Sequence, residues 1–421
     1  MNYRLMEVHK FGGAAVRDAD GVRNLLDILH SHKKARVIVV SAFGKTTNRL
    51  EEITRAIYNK ERKIFFDRLK KLKAYHKTIV NGLFIKDSLI LVEIEQIFDF
   101  ITHVFSKQWE SYDHLYDQIV CLGEIVSTKI IYSYLYEQGI PCRWLDIRKN
   151  LVTDAIFRDA TVIWEESSRQ MLQHCLPKGG EIVITQGFIG GTKQGVSTTL
   201  GREGSDYTGA VLAGMLNAEK LIIWKDVPGI MNADPRYFRD ASKLEQISYQ
   251  EAIELAYYGA KILHPKTIKP LQNQSIPLVV RSFSEPEEPG TLIGEYDHYD
   301  GDKPIFILKK NQILVSVFPK DLSFAFEAVL SHVYSQLAYF RIKVNLVQQS
   351  AISFSFCTDE QDQAIFKLIE TLRHDYKVLY NTGLELLTIR HYTGKVLVEA
   401  QRGRQILLEQ RSRHTTQFLM A

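Results

Sequence analysis

Residues 5–42 read LMEVHKFGGAAVRDADGVRNLLDILHSHKKARVIVVSA, and this stretch decides the fold class. Leu5–Phe11 reads as a short strand that ends at Gly12-Gly13. Gly21–Ser31 carries apolar residues at helical spacing. Arg36–Ala42 is a continuous apolar run rich in β-branched residues, the signature of a strand buried on both faces of a parallel sheet. Strand, helix and strand in so short a span make a βαβ unit, so the class is α/β.

Outward from this unit, residues 48–139 are almost entirely helical in pattern. Within them Glu61–Lys77 is rich in Lys and Arg. Its apolar spacing predicts an ordinary helix with Ile64, Phe65, Leu69 and Leu72 turned inward and the basic residues in solvent, not a nucleic-acid surface. Strands are expected again at Glu181–Phe188, Gly195–Leu200, Lys220–Lys225 and Pro277–Phe283. Helices are expected at Asp206–Leu216, Gln250–Tyr258 and Thr267–Gln272. Pro, Gly and acidic residues then concentrate, which places a linker at 286–304 after a first domain at 1–285. Residues 305–381 follow a βαββαβ order, ferredoxin-like in type, and 382–421 open a second such unit that lacks its final helix and strand. An incomplete sheet presents unpaired backbone groups, satisfied by the first unit or by another chain, so a homodimer is expected.

The 421 residues suffice for roughly two to four domains. A net charge of +4 is too small to imply a nucleic-acid partner. The four cysteines are scattered with no CxxC pair, which argues against a zinc site or a disulfide framework. The N-terminus resembles neither a signal nor a transit peptide, and no run of about 18 apolar residues suggests a membrane span. A cytoplasmic protein is the expectation.

Four glycine-rich loops sit at predicted strand–helix junctions: Lys10-Phe-Gly-Gly13, Ser41-Ala-Phe-Gly44, Gly187–Gly191 and Gly201-Arg-Glu-Gly-Ser-Asp206. Glycine lets backbone amides approach an anion, and a following helix adds unpaired N–H groups and the positive end of its dipole. Several such loops with lysines suggest a polyphosphate cradle. Gly44-Lys45-Thr46 resembles the end of a Walker A loop, but Val39 stands where its first glycine belongs. GxGxxG and the protein-kinase motifs are also missing.

Taken in order, the loops resemble the aspartate kinases of the amino-acid kinase family. The matching pieces are Lys10-Phe-Gly-Gly13, Val40-Ser41-Ala42 with Thr46-Thr47-Asn48, Gly123-Glu124, TQGFIGG (Thr185–Gly191), TTLGREGSDYT (Thr198–Thr208), WKDVPGIMNADPR (Trp224–Arg236) and ELAYYGAKILHP (Glu254–Pro265). The resemblance implies an αβα sandwich that transfers the γ-phosphoryl of ATP, with Mg²⁺, to the β-carboxylate of L-aspartate, the first step toward lysine, threonine and methionine. It implies that Lys10 and Lys261 contact phosphates, with the amides of Gly12 and Gly13. Asp206 orients the lysines or caps its helix. Arg202 forks onto a substrate carboxylate, Glu124 pairs with the substrate ammonium, and Ser41 and Thr47 hydrogen-bond the carboxylates. Lys225, Asp226, Met231 and Arg236 line the nucleotide site. No protein ligand for a resident metal is implied. The region from about Lys309 resembles an ACT domain, which implies a lysine or threonine effector near Asn345, Gln349 and Ser350. The loop Pro319–Ser323 lacks the glycine often found there.

Three positions depart from the family pattern. Ala14-Ala15 stand for Thr-Ser, Glu203 for a loop glycine, and Lys225 for Thr. Glu203 would repel phosphate unless it faces solvent or pairs with a lysine such as Lys225. Two other readings stay open at this point: another amino-acid kinase, such as acetylglutamate kinase, and a non-catalytic amino-acid sensor with a kinase fold.

Overall fold

A computed structural model describes residues 6–31, 34–85, 89–260, 263–296, 303–320, 326–360 and 363–421. The chain divides into two units. The first comprises 1–230, 243–256 and 261–300, and the second 231–242, 257–260 and 301–421. Two short segments on the N-terminal side of the expected linker therefore group with the C-terminal part.

In the first unit, β1 (Met6–Phe11), α1 (Ala19–Ser31) and β2 (Ala35–Val40) form the βαβ unit, with β1 and β2 parallel. All six residues of β1 are buried, which is why its sequence shows little alternation. Helices α2 (Thr46–Tyr58), α3 (Arg62–Leu83), α4 (Ile90–Phe105), α5 (Tyr112–Val120) and α6 (Leu122–Glu137) follow. In α3, Phe65, Leu69 and Leu72 are buried as expected, whereas Ile64 is 48% exposed and joins the basic face. Residues 112–137 are helical enough and apolar enough to cross a membrane. They form a core helix here, with 78% of the apolar window buried.

The unit continues with β3 (Cys142–Leu145), α7 (Trp164–His174), β4 (Ile182–Gln186), β5 (Ile189–Gly191), β6 (Ser197–Thr199), α8 (Gly204–Met215) and β7 (Lys220–Lys225). It ends with β8 (Gln246–Ser248), α9 (Tyr249–Tyr258), α10 (Pro265–Gln272), β9 (Leu278–Ser282) and β10 (Thr291–Gly294). The sheet runs β3-β4-β2-β1-β7-β9-β10-β8, parallel throughout except where β10 meets β9. Strand β10 lies inside the 286–304 stretch, so part of the expected linker is a sheet strand. In such a sheet, ligands bind beyond the carboxyl ends of the strands.

A polar column crosses the amino-terminal half of β1. Buried Glu7 contacts His9 at 3.0 Å and Lys220 at 3.2 Å. Trp224 Nε1 donates to His9 Nδ1, and the Trp224 ring stacks on Phe11. Burial alone would raise the Glu7 pKa, but His9 and Lys220 outweigh it and lower it to about 2.

The second unit holds β11 (Ile305–Pro319), α11 (Phe326–Tyr339), β12 (Val344–Gln349), β13 (Phe354–Asp359), α12 (Ala364–Arg373), β14 (Tyr376–Arg390), α13 (Gly394–Gln401), β15 (Ile406–Arg411) and β16 (Thr415–Met420). They form one sheet, β12-β13-β11-β14-β16-β15. The expected βαββαβ order is present, but β11 and β14 are each 15 residues long and serve two layers of packing. Ile313, Val315 and Val317 pack under α11 and α12. Beyond an irregularity between Lys309 and Gln312, Ile305–Lys309 pairs antiparallel with Leu386–Arg390. Phe306 and Leu308 join a second cluster with Leu387, Ile389, Leu397 and Phe418. The strand that 382–421 lacks is thus Ile305–Lys309 of the same chain, and the argument for a dimer from that missing strand is removed.

Candidate active site

A cleft of about 570 Å³ opens at the carboxyl ends of β1, β2 and β7 in the first unit. Three helix starts converge on it: Thr47 and Asn48 of α2, Glu124 of α6, and Gly204, Ser205 and Asp206 of α8 all line it. Their free N–H groups and dipoles favour bound anions. The backbones come close because Gly13 has no side chain. A Cβ there would lie 2.4 Å from the Ala42 carbonyl oxygen.

Lys10, the fifth residue of buried β1, and Lys225, the last of β7, meet over Asp206. Lys10 Nζ is 2.5 Å from Oδ1 and Lys225 Nζ is 3.2 Å from Oδ2. Burial pushes the Asp206 pKa up, but the two ammonium groups prevail and hold it below the ordinary carboxylate value. Asp206 sits in the first turn of α8 and not at its cap, which Glu203 occupies. The ion pair shown for Lys225 is with Asp206, so Lys225 braces the same carboxylate as Lys10.

Glu124 is the second buried carboxyl group that lines the cleft. Ser127 Oγ donates to the Ser41 carbonyl and so fastens α6 to the end of β2, while Thr128 takes a hydrogen bond from Gln186 of β4. Glu124 Oε1 accepts the Ala42 N–H at 3.3 Å. Its Oε2 is buried with no hydrogen-bond partner among the described residues. Burial raises the Glu124 pKa to about 8, against weaker opposition from backbone N–H groups and Lys10. A buried carboxyl oxygen with no donor calls for a cation.

Ser41, Thr47 and Arg202 line the same cleft, as does Gly13. Gly12 adjoins it, with its carbonyl accepting the Ala15 N–H. Ala14 lines the cleft and Ala15 is buried, so only the first of these departures bears directly on it. Asp226 is exposed beyond β7 and is not among the lining residues. Met231 and Arg236 belong to the second unit, where Arg236 is forked onto Asp234 at 2.6 Å. Lys261 lies outside the described residues, as does most of the Pro319–Ser323 loop.

Among the effector candidates, Asn345 is engaged within its own unit. It accepts from Lys309 Nζ at 2.8 Å and donates to Gln312 and Asp359. Ser350 closes a turn with Ser353, and Gln349 is exposed.

The cleft also contains Phe188, which lies within TQGFIGG, and Tyr116 and Arg158, which lie outside the motifs. No glycine or catalytic pattern marks residues 154–160, so Arg158 carries no local signal.

Comparison with known proteins agrees with this geometry. Residues 6–282 match the amino acid kinase family. Lysine-sensitive aspartokinase 3 of Escherichia coli is 34% identical over 360 residues, covering 84% of this chain and 78% of that protein. The chain spans 43% of a bifunctional aspartokinase/homoserine dehydrogenase of Arabidopsis thaliana, at 26% identity over 90% of this chain. Escherichia coli aspartokinase III superposes with a TM-score of 0.83 in its lysine and aspartate complex, at 30% identity over 98% of this chain and 95% of that one. Its aspartate and ADP complex gives 0.82, at 30% identity over 99% and 96%. The chain belongs to the amino acid kinase family, in its aspartokinase branch.

Proposed function

We infer that this chain is an aspartate kinase, transferring the γ-phosphoryl of ATP to the β-carboxylate of L-aspartate. The observation that carries the substrate assignment is Glu124 Oε2, buried at the cleft with no hydrogen-bond partner among the described residues, where an amino-acid ammonium group would complete it. A β-carboxylate oxygen forms the bond to Pγ, the bond from Pγ to the β-phosphate oxygen breaks, and ADP leaves with that electron pair. The nucleophile is already ionised near neutrality, so no general base is required. The chain's task is positioning and charge stabilisation. Lys10 and Lys225 face the transferred group, ordered by Asp206, with the amides of the Gly12-Gly13 turn beside them. Arg202, Ser41 and Thr47 hold substrate carboxylates. Lys261 is assigned to the phosphates by its motif.

Both Asp206 oxygens are already on ammonium groups, and no cluster of three metal-ligating side chains occurs among the described residues. Mg²⁺ would enter with the nucleotide and would supply charge neutralisation at its phosphates. The test compares L-aspartate with succinate, which lacks the ammonium group, in a hydroxylamine-trapping assay with ATP and Mg²⁺. Wild type should prefer L-aspartate by at least about 10-fold, a preference on the scale of a charged hydrogen bond. Glu124→Gln should lose most of it. Equal use of both acids by wild type contradicts the assignment.

The similar Escherichia coli aspartokinase is lysine-sensitive, which makes L-lysine the first effector to test, by inhibition and by a shift in melting temperature, with L-threonine beside it. A homodimer is supported by the two open sheet edges, β12 and β15. A stable monomer by light scattering at micromolar concentration contradicts it.

A further inference from the structure

Arg158 and Glu203 share two properties: both line the cleft, and both hold left-handed backbone at φ 70° and 54°. That conformation is unfavourable for a non-glycine residue, whose Cβ crowds the backbone. Residues held in it cluster at ligand sites, where the surroundings enforce them. The surroundings here are specific. The Arg158 N–H donates to both oxygens of buried Asp117, at 3.2 and 3.1 Å. The same carboxylate accepts the Thr199 N–H at 2.9 Å and its hydroxyl at 2.7 Å. Thr199 leads directly into Leu200-Gly201-Arg202-Glu203, and the Ala160 N–H donates to the Thr199 carbonyl. Asp117 thus staples the Arg158 turn to the loop that carries Arg202.

The guanidinium is ordered as well. It bonds Asp113 at 3.0 Å and lies 4.6 Å over the Tyr116 ring. Arginine has five N–H donors in a planar fork, so this anchoring leaves donors to offer a ligand. Charge gives the reason to need it. Among the described lining residues the cations are Lys10, Arg158, Arg202 and Lys225, matched by four carboxyl groups. Without Arg158 the described lining residues hold three cations and four carboxyl groups, one of them Glu124, which pairs with the acceptor's ammonium group.

We propose that Arg158 is a specificity-determining residue of this cleft: it binds the non-reacting carboxylate of the acceptor beside Arg202 and offsets the charge of Glu203. This rests on the aspartate kinase reading. The test uses the full chain and glycine substitutions, which suit both backbone angles and so preserve the turns. Arg158→Gly should raise KM for L-aspartate about tenfold, with kcat and KM for ATP within about twofold. Arg158→Lys keeps the charge without the fork and should fall between. Adding Glu203→Gly to Arg158→Gly should recover at least about threefold in KM, the coupling expected of neighbours. An unchanged KM for aspartate in Arg158→Gly, a parallel loss in all three constants, or no recovery in the double variant overturns the proposal. A wild type that makes no aspartyl phosphate overturns the aspartate kinase reading and this inference with it.

Discussion

At the residue scale the carboxyl groups divide the labour by environment. Asp206 stays ionised because two ammonium groups hold it, whereas Glu124, pushed to about 8, is largely protonated at neutrality without ligand. A substrate ammonium needs the ionised form. KM for L-aspartate should therefore fall about tenfold between pH 7 and pH 9 as Glu124 loses its proton, and Glu124→Gln should abolish that slope. The stability consequence has the opposite sense. A carboxyl group whose folded pKa is raised costs stability as pH climbs from its unfolded value through 8, so Glu124→Gln should unfold later than wild type in alkaline denaturant titrations. Asp206→Asn removes the charge that aligns both lysines and should lower kcat by about 10²–10³, with little change in KM for aspartate, by steady-state kinetics. The residues that a motif carries, such as Lys10, Glu124 and Asp206, were legible in the sequence. Arg158 was not, because its place in the cleft depends on a hydrogen bond to Asp117, 41 positions away.

At the element scale the site is made by strands that end together and helices that begin together. The parallel strands announced themselves through continuous apolar runs. Strands β3, β8 and β10 did not, being three or four residues long, and β10 follows a Pro- and Glu-rich stretch that reads as linker. The close approach of the turn after β1 to the turn after β2 is an element-level requirement. Gly13→Ala would drive a methyl group into the Ala42 carbonyl and should lower both activity and stability, the latter by about 1–3 kcal/mol in urea unfolding. An unaffected Gly13→Ala enzyme would mean the two turns do not abut.

At the scale of the whole chain, two features extend beyond any local motif. The buried Glu7 column joins β1 to β7, and its stabilisation is present above the unfolded pKa of 4.5 and lost as pH falls toward about 2. Glu7→Gln should cost about 3 kcal/mol at pH 7, and the gap from wild type should close across that acid window. In the second unit, Ile305–Lys309 completes the sheet that 382–421 begins, a pairing invisible to a linear reading because 75 or more residues separate the partners. The most direct test of the central claim remains chemical. The full chain is incubated with ATP, Mg²⁺ and hydroxylamine, and each candidate acid is offered in turn. The account predicts aspartyl hydroxamate from L-aspartate in step with ADP release. Product from N-acetyl-L-glutamate in its place, or ADP-free mixtures with every acid, would contradict it.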